Sequence, residues 1–166
     1  MASPKQQFLD TYDREHATTM RVLRAFPKEK ADSKLHPNLK TARELAWTFV
    51  MERYLGVKVW HDELAKGVTG GKPPAPPERW EDLLTALEKA SGEYRSLIAS
   101  ATDSELNDKV HFFVAPKTMG EYTRLDWARF LLSDEIHHRG QLSVYVRMAE
   151  GKLPSIYGPS ADEPWV

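Results

Sequence analysis

The chain has 166 residues, 41% of them hydrophobic and 28% charged, with a formal net charge of −1. That length supports one domain with a core of its own, and the even mixing of acids and bases leaves no electrostatic footprint for the backbone of a nucleic acid. Cysteine is absent, which excludes disulfides, thiolate catalysis and thiolate metal ligands, so any metal must rest on His, Asp or Glu.

The start, Met1-Ala2-Ser3-Pro4-Lys5, lacks the basic-then-apolar layout of a secretory signal, and no apolar run reaches membrane-spanning length. A single cytoplasmic domain over 1–166 is expected. Residues 4–26 carry Phe8, Tyr12, Thr19, Leu23 and Phe26 on one helical stripe, and Pro27 ends this first helix. The polar stretch 28–40, with His36-Pro37-Asn38, reads as a crossing loop. Thr41-Ala42-Arg43-Glu44 has capping-box spacing.

The helix it opens is expected to reach about Lys66, with Leu45, Phe49, Val59 and Glu63 near one meridian, Gly56 allowing a neighbour to approach, and Gly67 as the stop. Gly70-Gly71-Lys72-Pro73-Pro74 begins the clearest break, read as a loop because neither half has enough amphipathic helices to close a core. A third helix then carries Trp80, Leu84, Leu87, Tyr94 and Ile98. Thr102-Asp103-Ser104-Glu105 caps a short turn, and the run Lys109–Ala115 is strand-like, predicting a short extended excursion. Thr123-Arg124-Leu125-Asp126 offers a second capping box for a last helix running to about Ala149, before Gly151, Pro154 and a non-helical tail.

Four long amphipathic helices without strand alternation predict an all-α four-helix bundle with one long crossover connection. On the last helix Leu132, Ile136 and Val146 fall away from the stripe assigned to the core, which predicts a homodimer that covers them.

That stripe reads Trp127, Leu131, Asp134, His138, Leu142 and Tyr145, so a face that should be apolar carries a carboxylate and an imidazole one turn apart. Glu15 sits between Tyr12 and Thr19, Glu52 between Phe49 and Gly56, and the third helix contributes only Ser91. Buried polar groups must be paired, protonated or metal-bound. Two chemistries satisfy this pattern: a divalent metal on imidazole and carboxylate with a position left for water or substrate, or a buried ion-paired network around a protonated His138.

Glu135-Ile136-His137-His138 has the Glu-x-x-His spacing of di-iron bundles, but no second copy exists and Glu135 is assigned off the core stripe. His137, at the edge of the stripe, reads as a ligand, an outer-sphere donor or a packed histidine. His16, His36, His61 and His111 read as surface or loop residues. No P-loop, nucleophile elbow, dinucleotide-binding turn or His-Glu-x-x-His helix is present.

The run Asp134-Glu135-Ile136-His137-His138-Arg139-Gly140-Gln141-Leu142 resembles the last bundle helix of the DinB-like family. His36-Pro37, Thr41-Ala42-Arg43-Glu44-Leu45-Ala46-Trp47 and Pro154-Ser155-Ile156-Tyr157-Gly158-Pro159 extend the resemblance over nearly the whole chain. It implies a bundle, often dimeric, with a metal on three histidines, one from the second helix and two spaced by four on the last. Here Thr48 and Asp134 stand where two of those histidines are expected. The site that follows is Glu52, Asp134 and His138 as mixed ligands, Glu15 as a fourth ligand or base, and Thr48, His137, Tyr12 and Gln141 around them. Zinc or nickel is the expected ion, with manganese or iron as alternatives.

The resemblance implies a metal-dependent enzyme acting on a small molecule, either a thiol S-transferase using a low-molecular-weight thiol or a hydrolase. The alternative is a non-catalytic bundle with a degenerate metal site that binds a small ligand or serves as a stress-response interaction protein.

Overall fold

The structure is a computed structural model, and it describes residues 2–67 and 73–166. Gly70, Gly71 and Lys72 of the expected break lie outside the described residues. Those described form five α-helices and a small antiparallel sheet, in the order α1 (Pro4–Arg24), α2 (Ala42–Trp60), α3 (Trp80–Ser100), α4 (Asp103–Asn107), β1 (Lys109–Ala115), β2 (Thr118–Thr123) and α5 (Arg124–Met148). A 3-10 turn at Lys28–Lys30 begins the crossing loop. No helix among the described residues is long and apolar enough to cross a membrane.

Local chemistry sets the helix starts. The Ser3 side chain accepts from Gln6 N–H ahead of Pro4, and a reciprocal Thr41/Glu44 capping box opens α2, a device that contributes about 1 kcal/mol. Thr102 and Glu105 make the same box at α4. At α5 the box is only half formed: Thr123 accepts from Asp126 N–H, but the Asp126 carboxylate takes the Thr123 hydroxyl rather than its backbone N–H.

Helix α2 stops at Trp60, not near Lys66 as the sequence suggested. Asp62 adopts a left-handed φ of 55°, and its carboxylate accepts the backbone N–H of His111 at 2.8 Å. This ties the end of α2 to the β hairpin and takes Glu63 off the helix. The hairpin pairs Lys109 with Thr123 and Phe113 with Met119, with a register shift between Phe113 and Ala115. Its second strand is absent from the sequence reading.

Helices α1, α2, α3 and α5 pack on one another, and Gly56 lets side chains of α3 and α5 come close to α2. A Cβ there would sit 2.8 Å from both Leu131 and Tyr94 side chains. The buried apolar residues fall into two clusters. One contains Leu23, Phe49, Leu87 and Leu142, the other Tyr12, Val59, Ile98 and Trp127. Between the two clusters every long helix contributes polar residues to the interior: Glu15 and Thr19, Glu52 and Arg53, Ser91, and Glu135 and Arg139. A polar layer therefore crosses the middle of the helical core.

Two expectations for α5 are corrected. Glu135 and Arg139 are buried at 0% and 1% exposure, while the Asp134 and His138 side chains stand at the edge, at 38% and 18%. Trp127, Leu131, Leu142 and Tyr145 of the expected stripe are buried, but in its middle the inward positions are Glu135 and Arg139 rather than Asp134 and His138, and Ala128, Leu132 and Val146 beside them are buried as well, which widens the inward face. Leu132 and Val146 are thus buried by this chain itself, so of the three residues that pointed to a homodimer only Ile136, half-buried, still does.

Candidate metal centre

Glu52 comes from the middle of α2, and Asp134 and His138 come from consecutive turns of α5, where a spacing of four puts two side chains on one face. Packing of α2 on α5 brings them together. One ligand atom from each of the three lies within 4.8 Å of the others, the only such group of three among the described residues. His138 Nε2 is 3.5 Å from Glu52 Oε1 and 3.8 Å from Asp134 Oδ1.

Glu52 is the informative member. Its side chain is buried, and neither carboxylate oxygen has a hydrogen-bond partner. Burial pushes its carboxyl up to about 8; Arg53 opposes this, Asp134 and Glu135 reinforce it, and Lys40 opposes it weakly. A buried carboxylate without donors, facing an imidazole nitrogen and a second carboxylate, is a donor set that a divalent cation completes. The residues present therefore fit a metal.

A relay of side chains orients His138. Its Nδ1 lies 3.2 Å from Gln141 Oε1, and Gln141 Nε2 lies 2.9 Å from His137 Nε2. With the amide assigned this way, Nδ1–H donates to Gln141 and the Nε2 lone pair faces Glu52 and Asp134, the tautomer a metal ligand needs. His137 itself is exposed.

Two clefts flank the triad. A cavity of about 900 Å³ is lined by Thr48, Glu52 and Asp134 together with Lys58, Glu63 and Glu93. On the other side a cavity of about 410 Å³ is bounded by the crossing loop and includes His138 and Gln141. Thr48 borders the larger cleft but is engaged: its hydroxyl donates to Glu44 O at 3.1 Å and accepts from Lys40 Nζ at 2.7 Å.

Glu15 does not join this group. Its Oε2 accepts from Arg139 Nη2 at 2.7 Å and from the Tyr157 hydroxyl at 2.6 Å, which closes a link between α1, α5 and the tail. Burial raises its pKa, but the hydrogen bonds from Tyr157 and Arg139 and the Arg139 charge outweigh that and hold it below its ordinary value. An acid held in this way is a structural counter-ion rather than a base. Tyr12 is likewise internal: its hydroxyl donates to Ser91 O at 3.2 Å, and the Arg53 guanidinium lies over its ring at 5.2 Å.

The sequence reading missed Arg53, Glu135 and Arg139. Arg53 pairs with Glu135 in full burial and donates to Ser91 Oγ at 3.3 Å, and its Nη1 lies 3.9 Å from Glu52 Oε2. His16, read as a surface residue, stacks on Tyr12 at 6.3 Å with a buried Nδ1 that has no partner, and burial lowers its pKa.

Comparison with known proteins agrees with this architecture. The chain is 24% identical over 157 residues to the uncharacterized protein YrdA of Bacillus subtilis (strain 168), covering 94% of this chain and 89% of that one. A DinB-like protein from Bacillus cereus ATCC 10987 superposes with a TM-score of 0.75 at 20% identity, covering 92% of this chain and 97% of that one. The DinB-like protein YjoA of Bacillus subtilis gives 0.69 at 16% identity, covering 90% and 97%. At these identities the solved structures speak to the fold alone. The family model described as DinB family matches residues 1–164, and the chain belongs to that family.

Proposed function

We propose that the four long helices form a DinB-type four-helix bundle, and that Glu52, Asp134 and His138 hold a divalent ion, zinc or nickel in the first instance, for an enzyme acting on a small molecule. The observation that carries this reading is the Glu52 carboxylate, which is buried without a hydrogen-bond donor and converges with Asp134 and His138 within 4.8 Å. One imidazole and two carboxylates form a hard-to-borderline donor set suited to such ions.

Held by Glu52, Asp134 and His138, such an ion would supply Lewis acidity, which would lower the pKa of a thiol or a water and make it a nucleophile near neutral pH. That chemistry fits a thiol S-transferase using a low-molecular-weight thiol, or a hydrolase, in a chain with no cysteine of its own. The protein's part is positional. Gln141 fixes the Nδ1 proton of His138, Glu52 holds its charge away from water, and Asp134 is open enough to let a released proton pass to solvent. Glu15, occupied by Arg139 and Tyr157, takes no part.

A second reading, a structural polar core without metal, draws on Arg53, whose charge lies 3.9 Å from Glu52. Calorimetric titration of chelator-stripped protein with zinc separates the two. The metal reading expects one ion per chain, lost in His138→Ala, whereas absence of binding at micromolar zinc leaves the structural core.

A further inference from the structure

The smaller cleft has a different character from the larger one. Its walls are Leu35 and Leu39 of the crossing loop, Leu45 of α2 and Val144 of α5, and its polar end holds Lys40, His138 and Gln141. No carboxylate lines it, whereas the larger cleft carries Glu52, Glu63, Glu93 and Asp134. Leu39 and Val144 are 47% and 53% exposed beside this hollow, so a ligand body can bury apolar surface there. The loop that carries the lysine is pinned, since the Tyr145 hydroxyl donates to Lys40 O at 2.7 Å. Thr48, on the wall of the larger cleft, takes one donor of the Lys40 ammonium, which has three, and leaves two for a ligand.

We propose that this cleft is a binding site for a small amphipathic carboxylate, its apolar body against Leu39 and Val144 and its carboxylate on the Lys40 ammonium. The cavity of about 410 Å³ suits a molecule of modest size. Charge selects the class: Lys40 is the one formally charged side chain in the lining, with Glu44 and Glu52 near it but outside the cleft, so an anion is favoured over an amine, and the aliphatic walls favour a carboxylate with a hydrocarbon body over acetate. Bound this way, the ligand lies in the cleft that includes His138, separate from the one lined by Glu52 and Asp134. The site does not depend on a metal at the triad.

Hexanoate, hexan-1-ol, hexylamine and acetate serve as probes, measured on the full chain by calorimetry and saturation-transfer NMR, first after chelator treatment and then with zinc added. Hexanoate is expected to bind the metal-free protein, with the alcohol, the amine and acetate each weaker by about tenfold or more. Lys40→Gln is expected to weaken hexanoate about tenfold while leaving hexan-1-ol unchanged, and Val144→Asp to weaken both, with circular dichroism confirming the fold. Hexanoate binding indifferent to Lys40→Gln, hexan-1-ol binding as tightly as hexanoate, or binding that appears only with zinc overturns the proposal; the last would put the carboxylate on the ion. Because the first arm is metal-free, failure here and failure of the zinc titration are separate results.

Discussion

Gln141 holds His138 by its back nitrogen: Oε1 lies 3.2 Å from Nδ1, while the amide nitrogen, 2.9 Å from His137 Nε2, fixes which way the amide points. The lone pair of Nε2 is thereby committed to the side where Glu52 and Asp134 stand. Hydrogen-bond partners of this kind set the tautomer and basicity of a ligating histidine. Gln141→Ala is expected to weaken zinc binding about tenfold without lowering the melting temperature of the metal-free protein. Equal zinc affinity in variant and parent by competition titration would remove the relay from the account.

The Glu52 carboxyl, pushed up from 4.5 to about 8 chiefly by burial, makes stability depend on pH in a definite direction. Folding favours its protonated form, so in the metal-free protein this contribution is complete below about pH 4.5 and is lost as pH rises towards 8. Glu52→Gln stays neutral throughout. The stability advantage of the variant over the metal-free parent, from urea melts, is therefore expected to grow between about pH 5 and 8. Zinc must also expel the proton, so its affinity should fall about tenfold for each pH unit below about 8.

Arg53 and Glu135 are a fully buried pair, and removing one partner strands the other's charge. Arg53→Met is expected to cost about 3–5 kcal/mol in urea denaturation. The double variant Arg53→Met/Glu135→Leu should recover most of that loss, because no uncompensated charge remains. Strict additivity of the two single changes would show that the pair is not energetically coupled.

Tyr157 joins the tail to Glu15 and Arg139, with Arg139 Nη2 at 2.5 Å from its oxygen. Tyr157→Phe should cost about 1 kcal/mol and speed amide exchange in the tail around Ser155. Glu15, held below its ordinary 4.5, contributes stability that is present above that value and is lost as pH falls through its lowered pKa. Glu15→Gln is expected to remove that acid-side dependence and leave zinc stoichiometry unchanged. A lost zinc equivalent in this variant would return Glu15 to the site.

Helix periodicity in the sequence located α1 and most of α2, because Phe8, Tyr12, Glu15, Thr19 and Leu23 are buried as their spacing requires. The α5 face was harder to find. Trp127, Leu131, Leu142 and Tyr145 are buried as the expected stripe requires, but a stripe through Asp134 and His138 leaves Leu132, Ile136 and Val146 outside, and the burial of Leu132 and Val146 goes with an inward face that also takes in Glu135 and Arg139. Charge misled the count, since a glutamate and two arginines are placed outside by default and are buried here only because they pair across helices. Such pairing depends on which helices touch, which periodicity within one helix does not contain. Glu52, Asp134 and His138 were legible for the opposite reason: all three depart from apolar spacing on helices that happen to pack together. The end of α2 was hidden because it depends on Asp62 accepting from His111, 49 residues away in the chain.

The central claim is tested most directly by crystals of the protein grown with zinc, with diffraction recorded on both sides of the zinc absorption edge. The expected result is one anomalous peak per chain, within ordinary coordination distance, about 2.0–2.2 Å, of Glu52, Asp134 and His138 Nε2, and no such peak in His138→Ala. A peak elsewhere, or none at this triad in a zinc-replete crystal, would contradict the metal reading and leave the polar layer as a structural feature of the helical core.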